Sequence, residues 1–228
     1  MYSGLVTIII VTRGVVCDPI SDLMASYDTF DESFPSCGLV TSSSVLSQTI
    51  AGGEKVTEDE PLPWMVFVCG VNKNLDQCEQ SCGGSLISKH HILTSAHCIE
   101  DKTTDEVVVI LGTHNAIQSL RGWQVLILAA ITIYPGYNLV KGVKYESAPD
   151  IAVLTLDRPV ELNAAVNTIC LSDGLSQYVD TKATVSGWGY VPSEKKTSGQ
   201  KLMKAEVSVI SNIDCKRMIR PHYTFIQE

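Results

Sequence analysis

From Ile50 onward the chain is built of short apolar runs rich in β-branched residues, each closed off by Gly, Pro, Asn or Asp. The strand candidates are residues 65–68, 86–87 with 92–93, 107–111, 125–133, 151–156, 183–185 and 205–210. β-Branched side chains are stiff at χ1 and pack well on a pleated surface. Many short strands at modest spacing fold as an all-β barrel or sandwich. One helix is expected over 211–219, capped by Asn212 and stopped by Pro221. With 45% hydrophobic and 18% charged residues, the 228-residue chain can bury a core, which argues against wholesale disorder. No apolar run reaches about 18 residues, so no membrane-spanning helix and no membrane partner are expected. A formal charge of −8 disfavours diffuse nucleic-acid binding, because phosphate affinity comes from cations.

Upstream of Ile50 the texture differs. Residues 5–11 (LVTIIIV) have the length of a signal h-region, and Val15-Val16-Cys17 has the small side chains of a cleavage site. Residues 1–17 are therefore expected to be a signal peptide, although no Lys or Arg precedes the apolar run and Arg13 follows it. Residues 18–49 are polar, with a Ser-rich stretch at 41–47, and are expected to be a propeptide. Eight Cys suit a mid-sized secreted protein with a few disulfides. The expected localisation is extracellular.

Within residues 50–228 an ordered set of patterns stands out. Ile50-Ala51-Gly52-Gly53 comes first, then Cys82-Gly83-Gly84-Ser85-Leu86-Ile87 with Thr94-Ser95-Ala96-His97-Cys98. Asp150-Ile151-Ala152-Val153-Leu154-Thr155-Leu156 and Ser186-Gly187-Trp188-Gly189 follow. In this order they resemble the chymotrypsin/trypsin-like serine peptidases. The resemblance runs from about residue 37 to about residue 219. It implies two antiparallel six-stranded β-barrels, the first, at about 50–165, complete and the second incomplete in this chain.

The resemblance also implies the chemistry. A Ser hydroxyl attacks only when an imidazole takes its proton, and the imidazole needs a carboxylate on its other nitrogen. His97 is expected to be that general base and Asp150 that carboxylate, for peptide-bond hydrolysis through an acyl-enzyme. Cleavage between Thr49 and Ile50 would free an ammonium that folds inward, making the chain a zymogen. The family's activation site is usually basic where Thr49 stands, so activation by a trypsin-like enzyme is in doubt. Cys82 pairs with Cys98 and Cys37 with Cys170 by resemblance. Cys69 and Cys78 have no family counterpart but would close a short loop, and Cys215 is left unpaired.

The family's Gly-Asp-Ser-Gly-Gly motif does not occur, and no Ser sits in a Gly-x-Ser-x-Gly setting. The expectation is a C-terminally truncated secreted endopeptidase, a monomer, inactive by itself because the nucleophilic Ser is missing. Its partners would be protein or peptide substrates and an activating protease. The alternative is a non-enzymatic secreted homologue that binds protein partners. Cys78, Cys82, His90, His91, His97 and Cys98 also cluster as zinc ligands do, but oxidising compartments pair such thiols. No metal and no cofactor are expected.

Overall fold

The computed structural model describes residues 9–10, 37–39, 54–56, 61–71, 78–115, 123–135, 137, 149–171, 178–188 and 201–219. Thr49, Ile50 and Cys17 lie outside them. In chain order the strands are β1 (Ile9–Ile10), β2 (Glu54–Lys55), β3 (Met65–Val71), β4 (Cys78–Leu86) and β5 (His91–Thr94). They continue as β6 (Val107–Leu111), β7 (Gln124–Ile133), β8 (Ala152–Leu156), β9 (Lys182–Gly187) and β10 (Met203–Ser208). Two 3-10 turns, Ala96–Cys98 and Thr104–Glu106, and one helix, α1 (Asn212–Ile219), complete the described elements.

Six of these strands close a barrel in the order β3-β4-β5-β8-β7-β6, every pair antiparallel, with β6 returning to β3. Alternate residues point inward, as the two-residue period of a strand requires. Val66 and Val68, Val107, Val109 and Leu111, Leu126 and Leu128, and Ala152, Leu154 and Leu156 form one buried cluster. This is the first barrel of the expected all-β fold.

All seven residues of β3 are buried, which one barrel interior does not explain. The outward side chains are covered from elsewhere. Met65 packs with Val56, Trp64 and Leu202, and Phe67 with Cys69, Val71 and Ile110. Trp188, one residue past β9, meets the Phe67 ring edge-on, with centroids 5.4 Å apart and planes at 82°. Ser186 on β9 donates to Met65 Sδ at 3.2 Å. β3 is thus the shared wall between the barrel and a second sheet.

That second sheet runs β1-β9-β10-β2 and is open among the described residues. The strand candidates 183–185 and 205–210 correspond to β9 and β10 in it. The others, β1 and β2, are two residues each, too short to carry an alternation signal. Ile9 and Ile10, inside the stretch expected as a signal h-region, pair with Ser186 and Val185 of β9.

Two further differences from sequence expectation have clear causes. β4 spans nine residues, whereas its apolar pattern marked only its end, because CEQSCGGSL has almost no hydrophobic side chains to alternate. Gly84 serves close packing: a Cβ there would stand 2.7 Å from Ile92 Cγ2 and 3.2 Å from the Leu93 carbonyl oxygen. The helix is capped by Ser211, not Asn212. Ser211 Oγ accepts the Asp214 amide hydrogen at 3.0 Å and donates to Asp214 Oδ2 at 2.6 Å. Asn212 is the first helical residue.

At the mouth of β5, Ser88 Oγ accepts the amide hydrogens of His90 at 3.1 Å and His91 at 3.0 Å. Its own hydrogen is left for His91 Nδ1, 2.8 Å away, so the neutral ring carries its hydrogen on Nε2. Burial, and then the charge of His90, hold the His91 pKa below its ordinary value.

Two outcomes test this packing. Gly84→Ala should destabilise the fold by about 1–3 kcal/mol in urea denaturation, since the new methyl has no space. The lowered His91 pKa means that the unfolded chain binds the proton more readily. Its contribution is fully present above the unfolded value and is lost as pH falls through the folded one. The urea midpoint should therefore drop between about pH 7 and about pH 5, and His91→Gln should flatten part of that drop.

Candidate active site

The site forms where β5 ends and β8 begins. These strands pair antiparallel, with Thr94 opposite Ala152. A chain leaving β5 and a chain entering β8 therefore share one rim of the barrel. His97 lies three residues beyond Thr94, in the turn Ala96–Cys98, and Asp150 lies two residues before Ala152. Residues 53 positions apart in sequence are thus brought to contact distance at one rim by this ladder.

Each side chain stands between buried anchors. Ala96 is fully buried, Ile99 is 1% exposed, and the Ile99 amide donates to the Ala96 carbonyl at 3.0 Å. The Cys98 amide donates to the Ser95 carbonyl at 3.2 Å. Thr94 Oγ1 donates to the Gly83 carbonyl at 2.9 Å, tying the end of β5 to β4. On the other side, the Tyr134 amide donates to the Ile151 carbonyl at 3.1 Å, and Ala152 is fully buried.

Asp150 takes two hydrogens from the same residue. Oδ1 accepts the His97 backbone N–H at 2.9 Å, and Oδ2 lies 2.5 Å from His97 Nδ1. A carboxylate only accepts, so Nδ1 carries a hydrogen, and in the neutral ring Nε2 keeps its lone pair. The side chains are 25% and 42% exposed, so the pair contributes little to stability. What it fixes is the tautomer and the direction of the ring. Among the described residues, Nε2 meets Cys98 Sγ at 3.5 Å. That sulfur is bonded to Cys82 and has no hydrogen to offer, so Nε2 is free to accept a proton from elsewhere.

The chain carries three disulfides among its described residues: Cys82–Cys98, Cys69–Cys78 and Cys37–Cys170. Cys82–Cys98 joins β4 to the turn that carries His97. Cys37–Cys170 holds the segment 37–39 against the barrel, where the Gly38 amide also donates to the Thr168 carbonyl at 2.8 Å. Cys215 on α1 is the free cysteine among the described residues. Cys82, His97 and Cys98 place ligand atoms within 4.8 Å of one another. Two of those atoms are sulfurs bonded to each other, which leaves no thiolate for zinc.

Of the remaining histidines, His90 is exposed, His91 is buried against Ser88, His114 is half-buried with its carbonyl accepting the Leu202 amide hydrogen at 2.7 Å, and His222 lies outside the described residues. Sequence reasoning passed over Glu100 and Tyr137, whose side chains meet beside the His97 turn with a hydrogen bond of 2.6 Å. No spacing rule links positions 100 and 137, so only the fold reveals the contact.

A closed antiparallel barrel with an imidazole–carboxylate pair at its rim has the architecture of a β-barrel serine hydrolase and part of its chemical set. Comparison with known proteins agrees. The family model for trypsin matches residues 50–228. The chain is 27% identical over 221 residues to the serine proteinase stubble of Drosophila melanogaster, covering 93% of this chain and 27% of that protein. It is 34% identical over 173 residues to coagulation factor IX of Oryctolagus cuniculus, covering 72% and 58%. It is 37% identical over 135 residues to brachyurin of Leptuca pugilator, covering 59% and 56%. The solved structure titled "Structure of GrC" shares the fold, with a TM-score of 0.60 at 24% identity, covering 75% of this chain and 70% of that one. The chain belongs to the trypsin family of serine peptidases. It spans between 27% and 58% of the length of the three relatives named.

Converting Cys82 and Cys98 together to Ala should lower stability by about 3 kcal/mol, the effect of freeing a loop of this length in the unfolded chain. Matched denaturation curves of the two proteins would check it.

Proposed function

We propose that this chain carries the proton-transfer half of a secreted serine endopeptidase, with His97 as general base and Asp150 as the carboxylate that orients it. The observation that carries the reading is the double contact of Asp150 with the Nδ1 and backbone N–H of His97. In the reaction, Nε2 takes the proton of a Ser hydroxyl as that oxygen attacks the scissile carbonyl. The imidazolium, stabilised by Asp150, then returns the proton to the departing amine, leaving an acyl-enzyme for water to cleave. The substrates would be proteins or peptides, the enzyme would act as a monomer, and no cofactor takes part.

Extracellular export fits the three disulfides, which persist in oxidising compartments. Zymogen behaviour rests on the Ile50-Ala51-Gly52-Gly53 segment, where a cut after Thr49 by an activating protease would release the Ile50 ammonium. The Cys37–Cys170 disulfide would keep the propeptide attached after that cut. A signal peptide over residues 1–17 and a propeptide over 18–49 complete this reading. Because no Ser occupies a Gly-x-Ser-x-Gly setting, the 228-residue polypeptide prepared alone is assigned no turnover.

Two treatments of that polypeptide test the assignment. A fluorophosphonate probe should leave it unlabelled, and labelling that disappears in His97→Ala would show a nucleophile that this reading lacks. Diethyl pyrocarbonate should modify His97 at Nε2, the nitrogen left bare by Asp150. Asp150→Ala should abolish that preference for one nitrogen, read by fragmentation mass spectrometry. Modification at Nδ1 in the unaltered protein would contradict the base assignment.

A further inference from the structure

We propose that Glu100 and Tyr137 form a positioning clamp that holds the His97 turn and the Asp150 strand at their working separation. The proposal rests on the reading of His97 and Asp150 as a base and its orienting carboxylate. Its starting point is a hydrogen bond that the proton-transfer step does not use. Tyr137 Oη donates to Glu100 Oε2 at 2.6 Å. The Tyr137 ring is 7% exposed and belongs to the barrel's main apolar cluster, so packing fixes where its hydroxyl stands. Glu100 is half-buried and follows Ile99, itself buried and bonded back to Ala96. It is the third residue after His97.

From Tyr137 the connection runs to the other partner. The Tyr137 amide donates to the Tyr134 carbonyl at 2.9 Å, and the Tyr134 amide donates to the Ile151 carbonyl at 3.1 Å. Ile151 adjoins Asp150. The bonds therefore close a ring: His97 to Asp150 on one side, and Glu100 through Tyr137, Tyr134 and Ile151 on the other. The His97–Asp150 side of that ring is partly open to water, at 25% and 42% exposure. Water competes for such a bond, and two exposed side chains alone do not hold it closed. The Tyr137 side is anchored in the core and carries a charge-assisted hydrogen bond, the stronger kind. The clamp thus transfers the rigidity of the barrel to a pair that is only partly buried. Glu100 and Tyr137 are positioning residues here, because neither touches the reacting atoms.

The test reads the pair directly. In the 228-residue polypeptide, the exchange rate of the His97 Nδ1 hydrogen with water is measured by NMR, alongside thermal denaturation. Tyr137→Phe keeps the ring packed and removes only the hydroxyl, and Glu100→Ala removes the acceptor. Each should raise the exchange rate about tenfold, in line with losing one hydrogen bond to a charged group. The double variant should exchange no faster than either alone. Glu100→Gln, which retains an accepting oxygen but not the charge, should fall between the native rate and that of Glu100→Ala. A native rate in Tyr137→Phe or Glu100→Ala, or multiplied effects in the double variant, would overturn the clamp. Absence of any Nδ1 hydrogen in the unaltered protein would instead contradict the base–carboxylate reading itself, so the two failures are distinguishable.

Discussion

The antiparallel register of β5 on β8 is the constraint on which the site depends. With Thr94 opposite Ala152, the residues just past one strand and just before the other are brought to the same rim. A slip of one residue would reverse which side chains of β8 face the core, placing Val153 and Thr155 where Ala152, Leu154 and Leu156 are buried. The same slip would move Asp150 along the rim by about 3.3 Å, more than the reach of its hydrogen bond to the ring. Core burial and site geometry therefore enforce one register together.

The site itself is lightly buried, and its precision comes from its neighbours. Ala96, Ile99 and Ala152 are packed in the core, and Cys98 is tied to β4 by a disulfide. The imidazole and the carboxylate stand between these anchors with partial access to solvent. An imidazole with partial solvent access is one that a proton donor can reach, while the rigid barrel supplies its orientation. β3, buried on both faces, links this barrel to the second sheet through Met65, Phe67 and Trp188.

Legibility in the sequence followed the physical signal that each element carries. Val107–Leu111 and Ala152–Leu156 could be read because alternate apolar residues fill one interior. Most of β4 could not, since its cysteines, glycines and polar residues pack by closeness of backbone and not by apolar area. β1 and β2 are too short for any period. Ser211 and Asn212 are both good capping types, and the bond from the Asp214 amide to Ser211 Oγ separates them. His97 and Asp150 stood out through their local motifs, but their contact distance is a property of the ladder. Glu100 and Tyr137 belong to no motif, and their contact depends on how the turn after β7 folds back on the turn after β5.

The central claim is that Asp150 fixes the proton of His97 on Nδ1 and leaves Nε2 bare. Long-range 1H–15N correlation spectra of the imidazole rings at neutral pH measure this directly. The account requires His97 to show a protonated Nδ1 and an unprotonated Nε2, the reverse of the tautomer assigned to His91. A His97 ring with its hydrogen on Nε2, or one averaging between both nitrogens, would contradict it.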